Sequence, residues 1–318
     1  MVKSRADFMK ILITGGAGFI GSHIVDAYIK IGYQVVVVDN LVTGDIKNLN
    51  KKAQFYHIDI CNAKKLELVF KKVKPQIVNH QAAQISVSSS VNNPMFDAKT
   101  NIIGGLNLLK LADKYNVNKF IFASSAAVYG EPQYLPVDEN HQCNPQSPYG
   151  ISKLAFEFYL KAQAKLSGFD YIIFRYGNVY GPRQSVKGEA GVVAIFINHL
   201  LNKQKPTIFG NGNKTRDYIN VSDIARANLL ALTTKNINQT YNLGTGKKTS
   251  DLELFKTIFA NTNIKPNFVP NRVGDIEHFY YTSQRANKLL NWQAKITLVD
   301  GIEETISYYV KIKNTSNQ

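Results

Sequence analysis

The stretch Thr14-Gly15-Gly16-Ala17-Gly18-Phe19-Ile20-Gly21 constrains this chain more than any other. It sits between a β-branched run, Lys10–Thr14, and a segment in which Ile20, Ile24, Val25 and Tyr28 recur at helical spacing, with Gly32 placed to end the helix. Its glycines satisfy GxxGxxG (Gly15, Gly18, Gly21) and GxGxxG (Gly16, Gly18, Gly21) at once. A strand that turns this sharply into a helix needs residues without a Cβ. The helix start then offers unpaired N–H groups and a positive dipole end to a phosphate. The next run, Gln34–Asp39, is nearly all valine, as a parallel strand buried on both faces requires, and it ends in a carboxylate. Asp39, 18 residues after Gly21, is placed to accept hydrogen bonds from an adenosine ribose and to repel a 2′-phosphate. The pattern therefore points to NAD rather than NADP.

The same alternation continues. Strands are expected at 54–58, 76–79, 119–123 and 171–174, and helices at Ala63–Val73, 95–115 and 150–166. Strand–helix alternation with right-handed crossovers means an α/β fold, a doubly wound (Rossmann) parallel sheet. Beyond residue 176 glycine and proline become denser and the elements shorter. That predicts a smaller mixed α/β C-terminal substrate domain. The expected division is a NAD-binding domain at 9–176, a mainly substrate-binding domain at 177–318 from which 217–245 returns to the sheet, and an N-terminal extension at 1–8.

Tyr149-x-x-x-Lys153 places a phenol and an ammonium one helical turn apart. The motif alone is cheap, and the chain contains three copies. Tyr115…Lys119 spans a helix end and a strand start, and Tyr309…Lys313 lies in the last helix. Only Tyr149…Lys153 opens a helix, follows Ser147-Pro148, and comes one strand–helix unit after Ser124-Ser125, which closes a strand at the carboxyl edge where such sheets bind ligands. A phenol of pKa about 10 is a poor base. A nearby ammonium and the positive nicotinamide are expected to pull it toward the working range. It could then take a proton from a sugar hydroxyl while a serine hydroxyl orients the reacting oxygen.

With these motifs together, the chain resembles the extended short-chain dehydrogenase/reductase family, in its NAD-dependent epimerase/dehydratase branch, over about residues 9–310. The shared motifs are TGGAGFIG (14–21), VVDNL (37–41), NHQAAQ (79–84), SSAAVYG (124–130), SPYGISK (147–153), RYGNVYGPRQ (175–184), FGNGNKTRDYINVSD (209–223) and YNLGTG (241–246). The resemblance implies Ser125, Tyr149 and Lys153 as catalytic residues. It implies NAD contacts at Gly15, Gly18, Phe19, Ile20, Gly21, Asp39, Asn40, Asp59, Ile60, Gln81, Ala82, Ala83, Tyr149, Lys153 and Tyr176. It implies substrate contacts at Ser125, Asn178, Val192, Thr207, Phe209, Arg216, Arg272 and Asp275, the two arginines being suited to phosphates.

Family members that eliminate water carry an acid pair after the hydroxyl residue, where this chain has Ala126 and Ala127. The implied activity is therefore 4-epimerisation, interconverting UDP-glucose and UDP-galactose through a transient 4-keto sugar. A UDP-N-acetylhexosamine, UDP-uronate or heptose epimerase is the alternative within the family. A non-catalytic dinucleotide- or RNA-binding protein on the same fold is the alternative outside it. Gly177, Asn220, Ser222, Glu277 and Thr282 depart from the family pattern. Phe279 falls near the position that gates the sugar's C2 substituent, so a preference against N-acetyl sugars is expected. Family members pair helices like those near 102–115 and 154–166 into a dimer interface, which implies a homodimer.

Composition bears on partners. The chain of 318 residues carries 38 Lys+Arg against 23 Asp+Glu, a net charge of +15. The lysines are scattered, with no run of five basic residues, so the excess reads as a habit of composition rather than a nucleic-acid surface. Two cysteines, Cys61 and Cys143, argue against a disulfide scaffold and against a cysteine zinc site, and no metal is expected. No apolar run approaches a membrane span and no signal-peptide core is visible, so no membrane partner and a cytoplasmic location are expected.

Overall fold

The computed structural model of the chain describes residues 9–185, 191–271 and 276–316. It begins with β1 (Lys10–Thr14), α1 (Phe19–Lys30), β2 (Gln34–Asp39), β3 (Gln54–His57), α2 (Ala63–Val73) and β4 (Ile77–His80). Next come α3 (Val87–Asn92), α4 (Pro94–Ala98), α5 (Gly104–Lys114), β5 (Lys119–Ser125), α6 (Pro148–Ser167) and β6 (Asp170–Tyr176). Shorter elements follow: β7 (Asn178–Tyr180), α7 (Val192–Leu201), β8 (Thr207–Phe209), β9 (Thr215–Arg216) and β10 (Tyr218–Asn220). The chain ends with α8 (Val221–Thr233), β11 (Gln239–Leu243), β12 (Thr249–Ser250), α9 (Asp251–Ile258), β13 (Asn267–Val269), α10 (Gln284–Leu290) and α11 (Leu298–Ser316).

Seven strands form one sheet in the order β11-β6-β5-β4-β1-β2-β3, every neighbouring pair parallel. The order reverses between β1 and β4, and at such a switch point the carboxyl ends of the strands open a crevice. Side chains alternate between the two faces as the pleat demands. Ile11, Ile13, Val35, Val37 and Ile121 pack with α1 and α8, whereas Leu12, Val36, Val38, Phe120 and Phe122 pack with α2, α5 and α6. Both faces are dry, so each of these residues is held by roughly 1.5–3 kcal/mol of burial.

Of the segment expected to return to the sheet, 239–243 adds the edge strand β11 beside β6, and α8 crosses the face to pack on α1. Lys119, 7% exposed, donates to the carbonyls of Ala231, Leu232 and Thr234 and so closes the carboxyl end of α8. Residues Tyr218–Asn220 pair with Asn178–Tyr180 in a two-stranded ribbon outside the sheet. A separate core of Val193, Phe196, Ile197, Leu254, Phe255 and Ile302 lies among α7, α9 and α11.

One expected element is interrupted. In place of a single helix over 95–115, α4 gives way to a π turn at Lys99–Ile103 before α5 begins. Gly104 and Gly105 follow it at close contacts, since a Cβ would lie 2.8 Å from Ile60 Cδ1 at the first and 2.3 Å from Phe156 Cε2 at the second. The turn points Asn101 inward, 3% exposed, toward the site described next. Among the described residues, no helix is long and apolar enough to cross a membrane, and no group of three or more His, Cys, Asp or Glu could hold a metal ion.

Candidate active site

The glycine loop leaves β1 at the switch point. Gly15 has φ +71°, and a Cβ there would lie 2.6 Å from the Ala82 nitrogen; at Gly21 it would lie 2.1 Å from the Gly15 oxygen. Only glycine lets the loop fold back on β4 and on itself. The loop is tied from both sides. Thr14 Oγ1 is 2.8 Å from His80 Nδ1 and accepts from Ala82 N–H at 3.3 Å, while Asp39 Oδ2 accepts from Ala17 N–H at 3.0 Å. His80 is 1% exposed among Phe120, Phe122 and Phe156. Burial, with the Lys153 charge adding to it, lowers its pKa to about 3, so the ring is neutral.

Every residue expected at the cofactor lines one cleft, from Gly15 through Asp39, Asp59 and Gln81 to Tyr149, Lys153 and Tyr176. The cleft has about 970 Å³ of empty space, part of it open to solvent. Its chemistry suits a dinucleotide. The first turn of α1 holds no acidic residue, and by helix geometry the N–H groups of Phe19 and Ile20 have no intrahelical acceptor. Asp39 accepts from Ala17 and Leu41 N–H, one bond on each oxygen, which leaves a lone pair on each for ribose hydroxyls. Burial raises Asp59, but hydrogen bonds from Cys61 N–H and the Asn40 amide outweigh it and hold the carboxyl below its ordinary range. Ser124, marked in the sequence by its place at the strand end, also lines the cleft, as do Thr43, Ile58, Ile85 and Thr100. The sequence reading missed these last four because nothing in their type or spacing marks them.

At the far end Tyr149 and Lys153 line the cleft beside Ser124, whereas Ser125, the last residue of β5, reaches it only through the Tyr149 phenol. Ser147 caps α6 by accepting from Gly150 N–H at 3.2 Å, Pro148 opens the helix, and Tyr149 N–H donates to Ser90 Oγ at 3.1 Å. Lys153, 4% exposed, donates to the Ala123 carbonyl at 2.8 Å, with its nitrogen 4.9 Å from the Phe122 ring centroid and 6.0 Å from that of Tyr149. Burial lowers its pKa to about 8 against the opposing pull of Asp97 and Glu157. The Ser125 hydroxyl is hydrogen-bonded to the Tyr149 phenol and favours its ionisation.

One expectation needs correction here. In the protein by itself the Tyr149 phenol is shifted up, not down, because burial outweighs the Ser125 bond and Asp97 adds to it. The Lys153 ammonium is turned to Ala123 rather than to the phenol. The positive nicotinamide, the other half of the expected pull, comes with the cofactor.

Neither of the other two Tyr-x-x-x-Lys copies forms such a pair. Tyr115 donates to Glu67 while Lys119 closes α8, and Tyr309 donates to the Gln184 carbonyl while Lys313 donates to the Leu201 carbonyl. Beneath the site, Glu157 accepts from Ser124 Oγ at 2.6 Å and from Arg175 at 2.9 and 2.6 Å. Arg175 donates to Tyr129 Oη, which donates to Asn242. This buried fork joins α6 to the ends of β5, β6 and β11.

The residues expected at the substrate are more dispersed. Asn178 is exposed at the start of β7, opposite Tyr218 of β10. Arg216, just before β10, is half-buried and donates to the Thr215 carbonyl at 2.8 Å. Its neighbour Asp217 accepts from Thr245 N–H, Thr245 Oγ1, Gly246 N–H and Tyr281 N–H, a clamp that fixes this segment against the turn after β11. Thr207 and Phe209 are half-buried on β8, and Val192 packs at the start of α7. Among the described residues, none of these five lines the cofactor cleft. Arg272 and Asp275 lie outside the described residues.

Comparison with known proteins agrees with this geometry. Residues 11–244 match the model of the NAD dependent epimerase/dehydratase family. A protein of Methanocaldococcus jannaschii, provisionally described as a UDP-glucose 4-epimerase, is 48% identical over 302 residues, covering 94% of this chain and 97% of its own. The crystal structure of Thermotoga maritima UDP-glucose 4-epimerase with UDP-glucose superposes with a TM-score of 0.94 at 45% identity, covering 96% of this chain and all of that one. The Thermus thermophilus UDP-glucose 4-epimerase complex with NAD gives 0.89 at 39% identity, covering 95% and 99%. These matches, together with the phosphate loop and the cleft it opens, make this chain a member of the NAD dependent epimerase/dehydratase family.

Proposed function

We propose that the protein is an NAD-dependent nucleotide-sugar 4-epimerase that interconverts UDP-glucose and UDP-galactose. The observation that carries the reading is that Tyr149 and Lys153 line the end of the NAD cleft with Ser125 bonded to the Tyr149 phenol, while Ala126 and Ala127 add no further acid or base. When bound, NAD supplies a group that takes a hydride from sugar C4 and returns it to the opposite face of the 4-keto sugar. The protein handles the proton. Tyr149 Oη accepts the O4 proton and later gives it back, so no net proton is exchanged. Ser125 Oγ orients O4, and the Lys153 ammonium would help hold the cofactor and supply positive charge beside the phenol. Asn178, Val192, Thr207, Phe209, Arg216, Arg272 and Asp275 are assigned to the UDP-sugar, the arginines to its diphosphate.

The Phe279 ring, 3% exposed, is packed edge-on to Tyr281 at 5.1 Å and beside Tyr129 at 6.3 Å. A ring fixed in this way cannot swing aside, which supports a preference for hexoses without an N-acetyl group. A substrate panel tests the function: purified protein equilibrates UDP-glucose and UDP-galactose without added reductant. Failure on both, or faster turnover of N-acetylhexosamine, uronate or heptose nucleotides, overturns the assignment.

The quaternary proposal is a homodimer through α6, as expected, and α4, which takes the place of the expected helix at 102–115 because Leu108, Leu109 and Leu111 of that helix are buried in the core. Met95, Phe96, Ile151, Phe158 and Leu166 expose 78, 48, 53, 62 and 82% of their surface there, an apolar patch of the kind a partner covers. A Phe158→Glu variant is expected to sediment as a monomer where the unaltered chain sediments as a dimer.

A further inference from the structure

Asp97, on α4, is 1% exposed and forms no ion pair among the described residues. Its Oδ1 accepts from Gln84 Nε2 at 2.9 Å and from Asn101 Nδ2 at 3.0 Å. Its Oδ2 is equally buried and has no hydrogen-bond partner among the described residues. The chain of contacts runs on toward the reacting groups. Asn101 Nδ2 donates to Ser152 Oγ at 3.1 Å, and Ser152 Oγ donates to the Tyr149 carbonyl at 3.0 Å. Asn101 also exchanges two bonds with the Gln84 backbone, in the NHQAAQ segment whose Gln81, Ala82 and Ala83 line the cleft. The π turn places this amide inward.

We propose that Asp97 is a positioning residue for the Tyr149–Lys153 pair: its carboxylate fixes Asn101 and Ser152 under that turn of α6 and supplies the negative charge that balances the Lys153 ammonium. The inference rests on Tyr149 and Lys153 being the acid–base pair. Lys153 faces Asp97 from α4, Glu157 from its own helix, His80 from β4 and the phenol of Tyr149. Glu157 is bound bidentately by Arg175, so its charge is largely spent. His80 is neutral. Asp97 is the carboxylate left to act on the ammonium. The need is plain, because with Asp97 in place burial still brings Lys153 down to about 8. The same charge works against the phenolate of Tyr149. Asp97 thus sets the two groups together, raising both.

Asp97→Asn keeps the shape and the acceptor for Gln84 and Asn101 but removes the charge, and both groups then titrate lower. Two readouts test this. The first uses no substrate: the phenolate absorbance of Tyr149, taken as the difference between each protein and its Tyr149→Phe counterpart, is followed against pH. The expected midpoint in Asp97→Asn is lower by about one unit, the size of a close charge effect. An unmoved midpoint overturns the proposal. This readout stands even if the epimerase reading fails. The second is the pH profile of kcat, both limbs of which move to lower pH while KM stays within about twofold. A uniform loss of kcat with unmoved limbs, or a changed KM alone, assigns Asp97 a structural part only and overturns the proposal. Asp97→Leu, which removes both bonds and charge, should lower kcat further than Asp97→Asn; equal loss in both contradicts the positioning half.

Discussion

The cofactor cleft and the surface assigned to the nucleotide sugar are built in opposite ways within one chain. The cleft is a property of one parallel sheet. Adjacent strands β2, β1, β4, β5 and β6 end side by side, so the residues that follow them converge without further instruction. The surface proposed for the sugar is gathered from two- and three-residue ribbons, β7 with β10, β9 with β12 and β8 with β13, and Asp217, between β9 and β10, ties its segment to Thr245, Gly246 and Tyr281. A ligand site made by a sheet edge is rigid and tolerates change elsewhere. One made by ribbons depends on its clamps. Substitutions should therefore separate into those that abolish chemistry or cofactor binding and those that mainly weaken sugar binding.

The largest expected effect is at the junction. Tyr149→Phe removes the proton acceptor and should lower kcat about 10³-fold, within the range of acid–base catalysis, with NAD binding and thermal unfolding nearly unchanged. A kcat within tenfold of the unaltered chain would remove Tyr149 from the mechanism. Next, in the cleft itself, Gly15→Ala places a Cβ 2.6 Å from the Ala82 nitrogen at φ +71°. A strain of about 1–3 kcal/mol should weaken NAD by roughly 10- to 100-fold in calorimetry. Unchanged NAD affinity would mean that the loop is not the tight turn described.

On the other side of the comparison, Arg216→Leu should raise KM for the UDP-sugar about tenfold or more and leave NAD affinity alone. A loss of NAD affinity would show that the two regions are not separable. The smallest effect is at His80, buried in the cleft's support. Its folded pKa of about 3 lies below the unfolded value of 6.5. Between those values the unfolded chain binds the extra proton, so stability rises with pH across the window and is lost as pH falls through it. The slope due to this group is at most about 1.4 kcal/mol per pH unit. Urea unfolding of His80→Asn between pH 4 and 6 should show that slope reduced, and an identical slope in both proteins refutes the assignment.

The two regions also differ in how far they are legible without coordinates. The glycine loop, Asp39 and the strand ends can be read because strand, turn and helix are local and their order leaves one sheet to form. Tyr149…Lys153 can be told from its two copies by its place after β5. The π turn cannot be read, since residues 95–115 have the periodicity of an unbroken helix and the buried contacts of Asp97 and Asn101 that accompany the break join residues distant in sequence. The direction of the Tyr149 shift cannot be read either, because it depends on how dry the site is and on a carboxylate 52 residues away in sequence. In the C-terminal region strands of two or three residues carry no usable period. Asn178 and Arg216 are placed there by resemblance, and the charge of +15 identifies neither of them.

The most direct test uses UDP-galactose deuterated at C4, incubated with the purified protein in ordinary water with no added reductant. Epimerisation within one site predicts UDP-glucose that retains the deuterium at C4, with the two sugars reaching equilibrium. Product that has lost the label to solvent, or no UDP-glucose at all, would contradict it.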